Sequence, residues 1–297
     1  MSELKFSDWM AQQQSRAETA LERALPMSSI APERLHEAMR YTTLGGGKRV
    51  RPLLVYAAGK LAGASAPTLD VAACALECIH VYSLVHDDMP CMDDDALRRG
   101  KPTVHIQYDE ATALLTGDAL QTQAFDLLSA PGLFADPIRQ LRALHTLARA
   151  AGSRGMAGGQ AIDLASVGKQ LTREELEYMH LHKTGALIRA AVLLGALAGE
   201  LDDDALERLD HYAKCIGLLF QVVDDILDAV ADTATLGKTA GKDAANNKPT
   251  YVSILGLSES KDLAAELANE AVASLAGFGE AARRLHELAH YIVSRQF

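Results

Sequence analysis

The sequence predicts an all-α protein. Apolar residues recur about every 3.6 positions in segment after segment. No stretch shows sustained period-two alternation bounded by turn residues, so no sheet is expected. Ala and Leu dominate the apolar share while aromatics make up only 5%, which favours helices over strands. In chain order the periodic segments are Ser7–Leu25, Ala31–Tyr41, Arg51–Ala62, Leu69–Asp88, Asp109–Leu128, Pro137–Met156, Thr172–Ala198 and Asp202–Asp232, then three shorter C-terminal pieces. Thr172-Arg-Glu-Glu175 reads as a capping box, and Asp202 leads an acid-rich first turn. With no fixed-period repeat and no Pro/Ser-rich linker, residues 1–297 read as one large helical domain.

The 297 residues are 48% hydrophobic and 23% charged, enough for a buried core and incompatible with wholesale disorder. A net charge of −10 argues against nucleic acid as a partner, because neutralising phosphates needs a basic surface. Cys74, Cys78, Cys91 and Cys215 form no CxxC and no spaced cluster with His, so they read as reduced thiols of an intracellular protein. The longest apolar-rich run, Ala186–Gly199, carries Arg189 and is too short to cross a bilayer. No targeting segment is expected, and the default placement is cytoplasmic.

Two polar segments interrupt the helices: the glycine loop Leu44–Arg51 with its three cations, and the stretch Asp232–Pro249. Either is an ordinary connector unless chemistry gathers around it. The acids supply that chemistry. Asp224, Asp225 and Asp228 lie one turn apart on an otherwise apolar helix, where carboxylates repel one another unless a hard cation turns repulsion into coordination. Asp87 and Asp93 would lie roughly 120° apart on an unbroken helix. Pro90 should end the helix between them and let Asp93 swing back towards Asp87. Two such clusters could face one another across a cavity and hold Mg²⁺, which prefers a carboxylate or two plus substrate phosphate. Lys48, Arg51, Arg98, Arg99, Lys183, Lys238 and Lys248 then read as diphosphate-binding cations.

The motifs Gly45-Gly-Gly-Lys48-Arg-Val-Arg51-Pro52, Asp87–Asp93 with Arg98-Arg99, Gly117-Asp118, Gly159-Gln160, Lys183-Thr184-Gly185 and Gln221-Val-Val-Asp224-Asp225-Ile-Leu-Asp228 appear in that order. As a set they resemble the trans-prenyltransferase (polyprenyl synthetase) family, most nearly its short-chain bacterial farnesyl diphosphate synthase type. The resemblance runs from about Leu35 to the C-terminus. It implies an isoprenoid synthase bundle around a central apolar cavity and three Mg²⁺ ions per active site, with Mn²⁺ as a substitute. Asp87, Asp93 and Asp224 would be the principal metal ligands, supported by Asp88, Asp225 and Asp228. The allylic diphosphate would be held by Arg98, Lys183, Thr184, Gln221, Lys238 and Lys248, and isopentenyl diphosphate by Lys48, Arg51, His80 and Arg99. His80 is otherwise a plain core histidine, and the Lys183-Thr184-Gly185 step either bends its helix or merely tolerates a glycine. A homodimer is the family's usual assembly.

Mechanistically, cations and metal stabilise a departing diphosphate, an allylic cation forms, and the alkene of isopentenyl diphosphate attacks it. The released diphosphate can take the proton, in keeping with the absence of any recognisable Ser/His/Asp or Cys/His arrangement. The resemblance also implies that bulk four or five residues before the first motif, at Ser83 and Tyr82, limits product length. Ser83 is small and Tyr82 carries a rigid ring, so a C15 product is expected. A geranylgeranyl diphosphate synthase and a catalytically silent regulatory subunit remain alternatives.

Overall fold

The computed structural model describes residues 4–230 and 249–294. It is all-α, as the sequence predicts, and its helices in order are α1 Phe6–Ala24, α2 Glu33–Thr43, α3 Val50–Leu61, α4 Ala66–Asp87, α5 Val104–Gln107, α6 Glu110–Ser129, α7 Pro137–Ala151, α8 Met156–Ser166, α9 Arg173–His180, α10 Ala186–Leu197, α11 Asp203–Val230, α12 Tyr251–Leu255, α13 Leu257–Ser274 and α14 Arg283–Ser294. One small hairpin, β1 Leu97–Arg98 against β2 Lys101–Pro102, corrects the expectation of no sheet. Arg99 and Gly100 both take positive φ, +53° and +74°, the combination that closes a two-residue hairpin. An Arg in a position that favours Asn or Gly left the turn without its usual signal.

Two further differences concern helix breaks. The predicted helix Pro137–Met156 ends at Ala151, because Gly152-Ser-Arg-Gly155 breaks the ladder before α8 begins. The predicted helix Thr172–Ala198 is three pieces: α9, a π-helical turn at Leu181–Gly185, and α10. The bend expected at Lys183-Thr184-Gly185 is therefore a π turn, which widens the helix where Gly185 lacks a side chain. The capping box stands: Glu175 N–H donates to Thr172 Oγ1 at 3.3 Å, and Thr172 N–H to the Glu175 carboxylate at 2.9 Å. Asp202 likewise accepts from the Ala205 N–H at 2.7 Å.

The chain groups into two compact units, Met1–His145 with Leu194–Glu200, and Thr146–Leu193 with Leu201–Phe297. In the first, α4 runs through the core with apolar residues on every side, packing on α6, α3, α1 and α2. Ser65 caps it by accepting from Thr68 N–H at 3.3 Å, and Pro67 sits in its first turn, where no N–H is needed. By length and hydropathy α4, rather than Ala186–Gly199, is the one described helix that could cross a membrane. It is instead a core helix, 72% of its apolar window being buried inside the protein. In the second unit α11 is central, packing on α13, the π turn, α14 and α12. The buried Tyr212 ties α11 to α14 by donating to the Leu285 carbonyl at 2.7 Å.

The π turn packs against α8, and Gly159 makes that possible. A Cβ there would lie 2.1 Å from the Lys183 backbone nitrogen. Gly159→Ala should therefore push the π turn off α8 and cost about 1–3 kcal/mol, the usual range for overpacking. Urea unfolding checks it. A variant as stable as the parent would show that the close approach is not maintained.

Candidate active site

In the first unit, α4 ends at Asp87 and the chain curls back over its C-terminus. Asp93 N–H donates to the Asp87 carbonyl at 2.8 Å, Asp94 N–H to the Met89 carbonyl at 3.2 Å, and Asp95 N–H to the Asp88 carbonyl at 3.1 Å. These bonds satisfy carbonyls that a helix end leaves open, and they bring Asp93 beside Asp87 as the Pro90 reading expects. Both acids are half-buried. Asp88 is different: it is 3% exposed and grips Arg98, whose Nε and Nη2 donate to its two oxygens at 2.5–2.9 Å. Burial pushes its pKa up, and the guanidinium opposes that shift. Asp88 thus positions Arg98 rather than presenting a free carboxylate.

The glycine loop is tied down by a residue of its own motif that the sequence does not single out. Arg49 is buried, donates to Glu77 at 2.5 Å and to Glu18 at 2.8 Å, and also reaches the Thr43 carbonyl at 2.5 Å. Glu18 in turn accepts from Gly46 N–H at 3.2 Å. Arg99 Nη1 donates to the Gly46 carbonyl at 2.9 Å, and Gly47, at φ +120°, leaves the space its guanidinium needs. Arg51 Nη1 lies 3.3 Å from His80 Nε2, a contact in which a neutral imidazole accepts. Burial, then Arg51, Arg99, Arg98 and Arg49, hold the His80 pKa well below the usual range. The first unit therefore gathers several cations around an uncharged histidine, while Lys48 stands exposed nearby in the sequence.

The second unit repeats the pattern. Asp225 is 3% exposed, accepting from Gln221 Nε2 at 2.9 Å and from Tyr251 N–H at 2.8 Å. Gln221 Oε1 accepts from Thr184 at 3.0 Å, so the π turn, α11 and the start of α12 are joined by one chain of hydrogen bonds. His180 stacks on Tyr251 at 5.5 Å, and burial lowers its pKa to about 3. Lys183 Nζ lies 2.5 Å from Asp163. Asp163, His180, Lys183, Gln221 and Asp225 line a hollow of about 80 Å³.

Asp224 and Asp228 are half-buried on α11, and one Asp228 oxygen is buried with no hydrogen-bond partner among the described residues. A buried orphan carboxylate oxygen is costly unless a cation meets it. Together with donor sets made only of carboxylate oxygens, this fits a hard divalent ion such as Mg²⁺. Gln160 is also nearly buried with both side-chain heteroatoms unpartnered among the described residues. Lys238 and Lys248 lie outside the described residues.

Glu18, Glu77, Asp163 and Tyr251 were not legible as site residues. Asp163 had a usable signal, one turn after Gln160 on the same helix. The cysteine reading also needs correction: Cys215 does cluster with His211, one turn before it, and with Glu270 from α13.

A profile of the polyprenyl synthetase family matches residues 32–283. The chain belongs to that family. This prenyltransferase is 52% identical to the farnesyl diphosphate synthase of Escherichia coli strain K12, over 87% of this chain and 88% of that one. It is 47% identical to the heterodimeric geranylgeranyl pyrophosphate synthase large subunit 1, chloroplastic, of Arabidopsis thaliana, over 99% and 81%. A crystal structure of an FPP/GFPP synthase from Zymomonas mobilis superposes with a TM-score of 0.88 at 42% identity, covering 97% of this chain and 99% of that one. The prenyltransferase is thus a short-chain prenyl diphosphate synthase, and its relatives carry both farnesyl and geranylgeranyl names.

His80 gives a pH test. Its pKa is depressed in the folded protein, so below about pH 6.5 the unfolded chain binds a proton that the folded one refuses. Stability should therefore fall as pH drops below that value. Between pH 6.5 and 5.5 the parent should lose about 1 kcal/mol more than His80→Gln. Equal losses in parallel urea titrations would place the His80 pKa in the ordinary range.

Proposed function

We propose that this prenyltransferase condenses isopentenyl diphosphate with dimethylallyl or geranyl diphosphate and stops at C15, (2E,6E)-farnesyl diphosphate. One observation carries the chain length. Tyr82 is five residues before Asp87 on α4, about 7.5 Å of helix rise, and its ring is fixed. It meets the His86 ring edge-on at 5.7 Å. His86 Nε2 lies 3.0 Å from the Leu114 carbonyl, in the space left by Gly117. A ring braced by a neighbour that is itself tied to α6 makes a stiffer stop than a mobile side chain. Ser83 turns its hydroxyl back to the His80 carbonyl at 2.8 Å and offers no bulk. That smallness, with the geranylgeranyl names among relatives, favours C20 as the second reading.

The roles of the remaining residues follow their surroundings. Lys48, Arg51, His80 and Arg99 would bind isopentenyl diphosphate, the neutral His80 leaving the guanidinium charge for the anion. Arg98, Lys183, Thr184 and Gln221 would bind the allylic diphosphate, with Lys183 exchanging its Asp163 contact for phosphate oxygens. Asp87, Asp93, Asp224 and Asp228 would hold Mg²⁺, three ions in all with Mn²⁺ as a substitute, while Asp88 and Asp225 orient their neighbours. Bound Mg²⁺ neutralises the diphosphate and makes it a better leaving group. The departing diphosphate receives the proton lost at carbon, so no side chain has to act as base. Residues 1–297 work as one catalytic domain in the cytoplasm. Leu114, Leu115, Ile138 and Leu141 are exposed apolar residues of α6 and α7, which supports a homodimer burying them.

Labelled isopentenyl and dimethylallyl diphosphates, with products sized by chromatography, test the reading. The parent should give C15, and Tyr82→Ala should give C20 or longer at a stability cost of about 3–5 kcal/mol. A folded, active Tyr82→Ala enzyme that still stops at C15 would move the length stop elsewhere. Asp224→Ala should lower kcat at least ~10²-fold in saturating Mg²⁺ without unfolding the chain, since it relieves repulsion between neighbouring acids. Parental turnover in that variant would remove Asp224 from the metal set.

A further inference from the structure

The second unit carries a side-chain cluster that the prenyltransferase reaction does not use. His211 and Cys215 are four residues apart on α11 and so share one face of it. Glu270 reaches the same spot from α13. His211 Nε2 is 2.9 Å from Glu270 Oε1 and 3.9 Å from Cys215 Sγ, and the three ligand atoms all lie within 4.8 Å of one another. In a tetrahedral zinc site such atoms stand roughly 3.3–3.6 Å apart. The observed distances bracket that value, so small side-chain rotations without backbone movement bring all three into range.

We propose that His211, Cys215 and Glu270 form a second, soft metal site that binds one Zn²⁺ or a similar thiophilic divalent ion and clips α11 to α13. The donor set decides the metal. One thiolate, one imidazole and one carboxylate select Zn²⁺ over Mg²⁺, which prefers oxygen alone. Three protein ligands leave a fourth position for water. Cys215 is 5% exposed whereas the side chains of His211 and Glu270 are about half exposed, so an ion can enter from solvent and meet the thiol at the bottom. The neighbouring Lys214 is paired with Asp210 at 2.9 Å, which draws its charge away from the cluster. The site lies nine residues before Asp224 on the same helix, about 13.5 Å along it. It is therefore separate from the aspartate motif and should leave the Mg²⁺ requirement untouched.

Cobalt reads this site without ambiguity. Co²⁺ titrated into the full-length enzyme in excess Mg²⁺ should give a near-ultraviolet thiolate-to-cobalt charge-transfer band, because carboxylate-only sites have no sulfur to produce one. Zn²⁺ should erase the band by competition. Cys91→Ser should keep it, since Cys91 is the exposed thiol elsewhere in the chain. Cys215→Ser should abolish it. His211→Ala and Glu270→Gln, both at exposed positions, should weaken Co²⁺ binding at least ~10-fold while turnover with Mg²⁺ stays at the parental rate. Zn²⁺ should raise the Tm of the parent but not of His211→Ala. No charge-transfer band in the parent, a band that survives Cys215→Ser, or equal Co²⁺ affinity in His211→Ala would overturn the proposal.

Discussion

Adjacent carboxylates repel, and everything at the two aspartate motifs is arranged around that fact. Both motifs hold an Asp-Asp pair, and both remove the second acid from competition in the same way. Asp88 is buried against Arg98, and Asp225 against the Gln221 amide and the Tyr251 backbone. Each is thereby a scaffold that fixes a neighbouring element: the hairpin that carries Arg98, and the junction of α11 with α12. Asp87 and Asp224 are left half-buried beside them. Breaking either buried contact would strand a charge in a poorly solvated place, which is far more costly than losing a surface pair.

The cations are sorted by the same logic of burial. Arg49 gives up its charge to Glu77 and Glu18 and so stiffens the glycine loop rather than meeting a ligand. The charge of Arg51 and Arg99 is answered by a histidine that stays neutral, so the field around it remains positive. A motif with three basic residues in four positions thus separates into structural and ligand-facing parts only once the backbone of Arg49 turns left-handed and sends its side chain inward.

Much of this was legible beforehand. Helical period, capping residues and the break at Pro90 come from rules that act over a turn or two, and they located α4, α11 and the start of α9 to within a few residues. The ordered motifs named the family and most of the candidate site. What stayed hidden depends on contacts distant in the chain. Glu18 reaches Arg49 across 31 residues, and Tyr251 reaches Asp225 across 26. The hairpin at Leu97–Pro102 was missed because Arg99 occupies a turn position where sequence patterns look for Asn or Gly. The His211–Cys215 spacing was visible, but Glu270, which makes it a cluster, comes from another helix.

The π turn at Leu181–Gly185 holds one residue more than an α-helical turn would, and its wider ring takes up that residue without turning the helix beyond it. Deleting any single residue from the segment would heal the helix and leave α9 and α10 nearly in their present phase. The turn that now carries Lys183 and Thr184 would narrow, and both side chains would shift although neither had changed. Over this stretch residue count is constrained more tightly than residue identity, so related chains should tolerate substitutions at Leu181 or His182 far more readily than gaps.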